Sequence, residues 1–292
     1  MTDLEFLEIE KHLLETLGYT STTDKDYVNS VVHKKLIRIK KLFSTNIYAP
    51  GGLKNHKDGA MEVTRMAFLT DSLLEPLKKS NQSAWKKLTA ELRDNGKSYD
   101  QFSSLKFEFL IACCFLKMNV PFDKVDYPNP DFKISNSAAG IECTSARVKT
   151  MESQSKVLEK IRDIIGAKHY KNAKPRHYAN SHTALAIDIT NLLFNLKAKG
   201  MKFENVKEFL ASESPNIKFG SVILSDLSYI PARKLVMPFG VQVDYTAGPS
   251  AIHSWARLDQ SRIHSDLKVT LDRIFPLAKE ISGASSIVMD EF

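Results

Sequence analysis

VPFDKVDYPNPDFKISNSAAGIECTSARV, residues 120–148, is the stretch that decides the fold. Its apolar residues do not recur at three- and four-residue intervals; short runs flank the polar turn SNSAAG, and two short strands are predicted. Residues two apart on a strand share a face, so Asp131 and Lys133 point one way, as do Glu142 and Thr144. Two acids therefore stand in neighbouring strand segments beside Phe132, Ile134, Ile141 and Cys143. An acid in an apolar strand is costly to bury unpaired, so Glu142 belongs to a site or answers a base. For Asp131, which follows Pro-Asn-Pro, the ordinary alternative is a turn-capping aspartate.

Upstream, SSLKFEFLIACCFLKM predicts an apolar helix over about 101–118, with Glu108 between Phe107 and Phe109. A glutamate beside Lys106 on a helix is ordinarily solvated, but this run is mostly apolar. Farther upstream the helical spacing predicts helices over 3–17, 24–44, 59–79 and 82–95, an all-helical N-terminal domain spanning 1–98. Downstream, Val157, Leu158, Ile161, Ile164 and Ile165 mark one face of a helix over 153–170. Strands at 183–190, 219–227 and 241–245, with helices near 203–211 and 259–281, complete an α/β domain over 99–292.

The 292 residues carry 43% apolar and 26% charged side chains, ordinary for a globular chain. Three cysteines and no CxxC pair give neither a disulfide framework nor a zinc ribbon, and an intracellular, cytoplasmic setting is expected. The N-terminus lacks the basic and apolar regions of a secretory signal, and no segment reaches the length of a membrane span. GxxxxGK[ST], GxGxxG and GxSxG are absent, which removes the motif support for a P-loop, a dinucleotide fold and a serine-hydrolase elbow. The net charge of +7 favours a polyanionic partner.

Residues 101–190 run in the order helix with a glutamate, strand opening on Pro-Asp, strand with Glu, basic helix, strand. This order resembles the PD-(D/E)XK nuclease superfamily, with Glu108, Pro130, Asp131 and Glu142 as the matching residues. The resemblance implies a restriction-endonuclease-like core, a central mixed β-sheet flanked by helices. It also implies Mg²⁺ (or Mn²⁺) at Asp131 and Glu142 with help from Glu108, and metal-dependent hydrolysis of DNA phosphodiester bonds in restriction, repair or defence. Magnesium suits such a place because it takes one or two carboxylates, keeps several waters and binds substrate phosphate.

The superfamily's lysine, two residues after the second acid, is replaced here by Thr144, which hydrogen-bonds but brings no positive charge. Members with a displaced lysine are known. The substitutes predicted are Lys133, on the face of Asp131, and Lys160, which with Lys156 lies on the following helix. The alternative is an inactive nuclease-fold protein that binds nucleic acid or a protein partner.

The segment KHYKNAKPR, from Lys168 to Arg176, is basic with aromatic residues, and no acid stands between Asp163 and Asp188. Lys168, Lys171, Lys174 and Arg176 are accordingly predicted to contact nucleic acid, most naturally double-stranded DNA, the alternative being a solvated loop. In HKKLIRIKK (33–41) a solvated helix face is the simpler reading. His169, His177 and His182 lack cysteine or carboxylate partners at zinc spacing. Cutting both strands commonly pairs two sites, so a homodimer is the expected assembly.

Overall fold

The computed structural model describes residues 3–148, 153–171, 174–197, 203–213, 216–230, 250–277 and 285–289. The chain divides into two compact units. One comprises Met1–Phe109 with Tyr229–Ile252 and Val288–Phe292; the other comprises Leu110–Ser228 and His253–Ile287.

The first unit is helical over its N-terminal part: α1 (Asp3–Leu17), α2 (Lys25–Asn29), α3 (Val31–Ser44), α4 (Gly52–Ala67), a π-helical stretch (Phe68–Leu74), α5 (Glu75–Ser80) and α6 (Gln82–Asn95). The predicted single helix over 24–44 is two helices, because two caps compete for that stretch. The carboxylate of Asp24 accepts from the N–H groups of Asp26 and Tyr27, while the hydroxyl of Ser30 accepts from His33 N–H at 3.1 Å and starts α3. The helical run predicted from 59 begins at 52, where Gly51 adopts φ +79 in the left-handed region. On α3, Val32, Leu36 and Ile39 face inward, and Lys34, Arg38, Lys40 and Lys41 are exposed.

α7 (Tyr99–Lys117) leads from the first unit into the second. There the chain forms β1 (Phe122–Lys124), β2 (Phe132–Ile134), β3 (Gly140–Ser145), α8 (Gln154–His169), the small hairpin strands β4 (Tyr170–Lys171) and β5 (Lys174–Pro175), and β6 (Thr183–Asp188). α9 (Thr190–Lys197), α10 (Phe203–Glu213), β7 (Ser221–Ile230), β8 (Ser250–Asp259), α11 (Ser265–Ile274) and β9 (Ser285–Met289) follow. The protein is thus α/β, with a mixed sheet flanked by helices.

The main sheet has the order β1-β2-β3-β6-β7-β8-β9. β1, β2 and β3 are antiparallel neighbours, whereas β6 lies parallel to both β3 and β7. A parallel neighbour needs a crossover, which α8 provides between β3 and β6. Val157, Ile161 and Ile165 of α8 pack with Leu185 and Ile187 of β6, Val222 and Leu224 of β7, and Val206 and Leu210 of α10. Phe115 of α7 meets Phe122 and Phe132 at ring distances of 4.8 and 5.4 Å, tying that helix to β1 and β2.

The segment 120–134 contains two strands rather than one, because the Tyr-Pro-Asn-Pro turn at 127–130 reverses the chain between β1 and β2. The predicted helix over 259–281 is likewise corrected. Residues 250–259 are strand β8, and α11 occupies only 265–274 with His264 as its N-cap. The inward positions of β8 are His253, Trp255 and Arg257, all buried, so a period-two strand carries no run of aliphatic residues to announce it. The predicted strand over 241–245 lies outside the described residues.

Candidate active site on the β2–β3 pair

Gly140 sets how closely β2 and β3 approach. A Cβ there would lie 2.6 Å from Cγ of Pro130, so only a glycine lets the segment before β2 cross over the start of β3. The register Phe132↔Ile141 and Lys133↔Gly140 then brings Asp131 next to Glu142. Oδ2 of Asp131 accepts the N–H of Cys143 at 2.7 Å, pinning one acid to the strand of the other.

Each acid has a lysine partner. Oδ1 of Asp131 receives Nζ of Lys124 at 3.2 Å, and that lysine lies 5.6 Å over the ring of Phe132. Lys124 is buried because it alternates with Phe122 on the inward side of β1. Oε1 of Glu142 receives Nζ of Lys168 at 2.6 Å and the hydroxyl of Tyr178 at 2.9 Å. Lys168 also donates to the carbonyl of Cys143 at 3.1 Å, and Arg176 donates to the Tyr178 hydroxyl at 2.5 Å.

Burial raises the pKa of Glu142, and the charge of Asp131 raises it further, against the opposing pull of Lys168 and Tyr178. For Lys168 burial acts downward, but the charges of Glu142 and Asp131 outweigh it and hold the ammonium above its ordinary value. Tyr178 is likewise raised, by burial and then by Glu142, so it stays a hydroxyl donor. Two acids, buried or half-buried, thus share a small polar island on an apolar sheet, stabilised by cations from β1 and α8.

Of the residues predicted from sequence, Asp131 and Glu142 come together. Glu108 is buried on α7 within the first unit, whereas the acid pair belongs to the second. Lys133 and Lys160 are exposed, and neither side chain forms an ion pair or hydrogen bond with another described residue. Lys168, predicted as a nucleic-acid contact, points instead to Glu142. Lys174 is exposed, Arg176 is engaged by Tyr178 and by the carbonyl of Tyr170, and the side chain of Lys171 lies outside the described residues. Asp188 serves as a local cap, accepting the N–H of Thr190 at 3.0 Å at the start of α9.

Lys168 had a signal in the sequence. It stands seven residues beyond Ile161 and three beyond Ile165, in line with the stripe Val157–Ile161–Ile165, while Lys160 falls beside it. Lys124 had one too, as the inward residue of an alternating strand.

The thiols do not enter this chemistry. All three cysteines are buried, and burial pushes Cys114 up to about 12 and Cys113 well above its usual value. Among the described residues no cluster of three His, Cys, Asp or Glu side chains is arranged to hold a metal ion. No described helix is long and apolar enough to cross a membrane. No family model, curated protein or solved structure matches the chain.

Proposed function

We propose that the protein is a metal-dependent nuclease of the restriction-endonuclease-like type that hydrolyses DNA phosphodiester bonds. The observation that carries this reading is Lys168: a cation from the crossover helix reaches Glu142 and the Cys143 carbonyl, where the superfamily places a lysine and this chain has Thr144. The element order α7-β1-β2-β3-α8-β6, with three antiparallel strands and a fourth parallel to the third, supports it.

The donor set suits a hard divalent cation. Asp131, Glu142 and the Cys143 carbonyl offer oxygen only, and Mg²⁺ asks for few protein ligands because it keeps its waters. Among the described residues, Oε2 of Glu142 accepts no hydrogen bond. Bound there, a divalent ion supplies acidity to a water and charge to the phosphoryl oxygens. The chain's own residues do the rest. Lys168 offsets negative charge developing on the phosphate, and Tyr178 fixes the rotamer of Glu142. Asp131, bonded to Cys143 N–H, keeps both acids on adjoining strands.

A second reading has its own observation. Lys124 and Lys168 already balance the two carboxylates, which is what a nuclease fold that binds nucleic acid without cutting it would present. Incubation of the protein with plasmid DNA and Mg²⁺ or Mn²⁺ separates the two. Nicking by the parent that Asp131→Ala and Glu142→Ala both abolish supports the enzyme; salt-sensitive binding with no nicking supports the binder. Work in restriction, repair or defence, and pairing of two copies for double-strand cleavage, belong to the first reading.

A further inference from the structure

A cavity of about 290 Å³ lies in the second unit, lined by the loop before β2 and the turn between β5 and β6. Its walls include Pro128, Pro130, Lys133, His177, Asn180 and His182. The ring of Tyr178, whose hydroxyl holds Glu142, also lines it.

Three of these residues carry polar groups with nothing to bind. The ammonium of Lys133 and the ring of His177 are exposed and make no ion pair or hydrogen bond with another described residue. Nδ1 of His182 is shut off from solvent and has no hydrogen-bond partner, while its ring stacks on His264 with 3.8 Å between centroids and 30° between planes. Nδ1 is itself out of a ligand's reach, so the ring meets the cavity through its other nitrogen, Nε2, which makes no hydrogen bond with another described residue. Asn180, by contrast, is committed: it donates to the carbonyl of His177 at 2.8 Å and accepts the N–H of His182 at 2.9 Å, which fixes the backbone bearing both imidazoles.

No carboxylate lines the cavity, so its charge favours an anion. The proline rings add flat apolar walls, and the volume is at the small end of ligand pockets. We propose that this cavity binds one nucleotide, with Lys133 and His177 taking the phosphate, the prolines packing on the base and Nε2 of His182 hydrogen-bonding its edge. The proposal deepens the nuclease reading and rests on it for the source of the nucleotide: a unit of the strand being cut, or a free mononucleotide such as the product of cleavage. Ammonium and imidazole donors suit a phosphate through charge-assisted hydrogen bonds.

The test uses the full chain with three probes: dAMP and dCMP, inorganic phosphate, and a short single-stranded oligonucleotide. Binding is read by calorimetry and by the imidazole resonances of His177 and His182. The expected result is that a mononucleotide binds, shifts both imidazoles, outbinds phosphate and loses about tenfold or more in affinity on Lys133→Ala, a change of about 1.4 kcal/mol. Shifts produced by the oligonucleotide alone, and weakened by the same variant, assign the site to the strand. If no probe moves the two imidazoles, or if Lys133→Ala and His177→Ala leave affinity unchanged, the proposal is overturned. Glu142→Gln keeps the failures apart. It stops cleavage without weakening mononucleotide binding, and a parent that binds dCMP through Lys133 but never nicks DNA loses the nuclease reading and keeps the cavity's ligand.

Discussion

The ammonium of Lys168 lies 2.6 Å from Oε1 of Glu142, two residues brought together across 26 positions of the chain by the turn of α8 back over β3. Removing one member of a buried pair strands the other. Lys168→Ala is therefore expected to destabilise the protein by about 3 kcal/mol or more and, if the pair serves phosphodiester cleavage, to slow it by about 100-fold or more. Lys160→Ala should change neither. Denaturant unfolding and a plasmid-nicking assay check both; equal effects of the two variants would remove Lys168 from the site.

The helices of the first unit were legible because their caps and stripes are local, as at Asn81 and in the Leu36/Ile39 spacing; the cap at Ser30 was not read, because the apolar spacing runs on through it. The acid pair was legible for a different reason, since a carboxylate inside an apolar strand is conspicuous wherever it occurs. Lys168 was hidden by its company. It opens a basic segment, and a run of cations suggests a solvated or phosphate-facing loop before it suggests the inner face of a helix. β8 was hidden by composition, because Arg257 and His253 fill places where aliphatic side chains are expected; only the partners of Arg257, Asp259 and Asp272 and the carbonyl of Phe275, make its burial tolerable.

Glu142→Gln is expected to lower the melting temperature and, on the nuclease reading, to abolish cleavage. The amide keeps a hydrogen-bonding shape and sheds a charge that burial disfavours, but it leaves the Lys168 ammonium buried without its counter-ion. A carboxyl whose folded pKa lies above its unfolded value holds its proton more tightly in the folded state, so its contribution to stability falls as pH rises out of the ordinary carboxylate range. The variant should lack that fall, as melting curves across acidic pH will show.

Two histidines act in the opposite sense. Burial lowers His253 to about 4, and burial with the charges of Lys218 and Arg262 lowers His169 to about 4. His169 accepts the N–H of Lys218 at 3.2 Å, which needs the neutral ring. Below about 6.5 the unfolded chain protonates first, so stability is full above that pH and is lost as the pH falls toward 4, by on the order of 3 kcal/mol for a fully buried ring. His253→Gln should flatten that part of the profile; an unaltered slope would count against a neutral buried ring.

Gly140→Ala places a methyl group 2.6 Å from the Pro130 ring, which must shift to admit it. Overpacking of this kind costs about 1–3 kcal/mol. Because Pro130 precedes Asp131, the same shift displaces the acid from Cys143 N–H, and on the nuclease reading cleavage should fall by more than the lost stability explains. Comparing initial nicking rates at a temperature where the variant is fully folded isolates the second effect.

The charge balance of the site bears on the proposed metal. Lys124 is bonded to Asp131 and Lys168 to Glu142, so a divalent cation entering between the acids meets two ammonium groups as well as two carboxylates. Like charges a few ångströms apart in a partly desolvated site repel, and metal affinity should be modest in the parent. Lys124→Met removes one cation while keeping an apolar stem of similar length beside Phe132. Its Mn²⁺ affinity, followed by calorimetry, should tighten severalfold, and Asp131→Ala in the same background should abolish the gain. A dissociation constant indifferent to both changes would place metal binding elsewhere in the chain and leave the two acids with a purely structural pairing to their lysines.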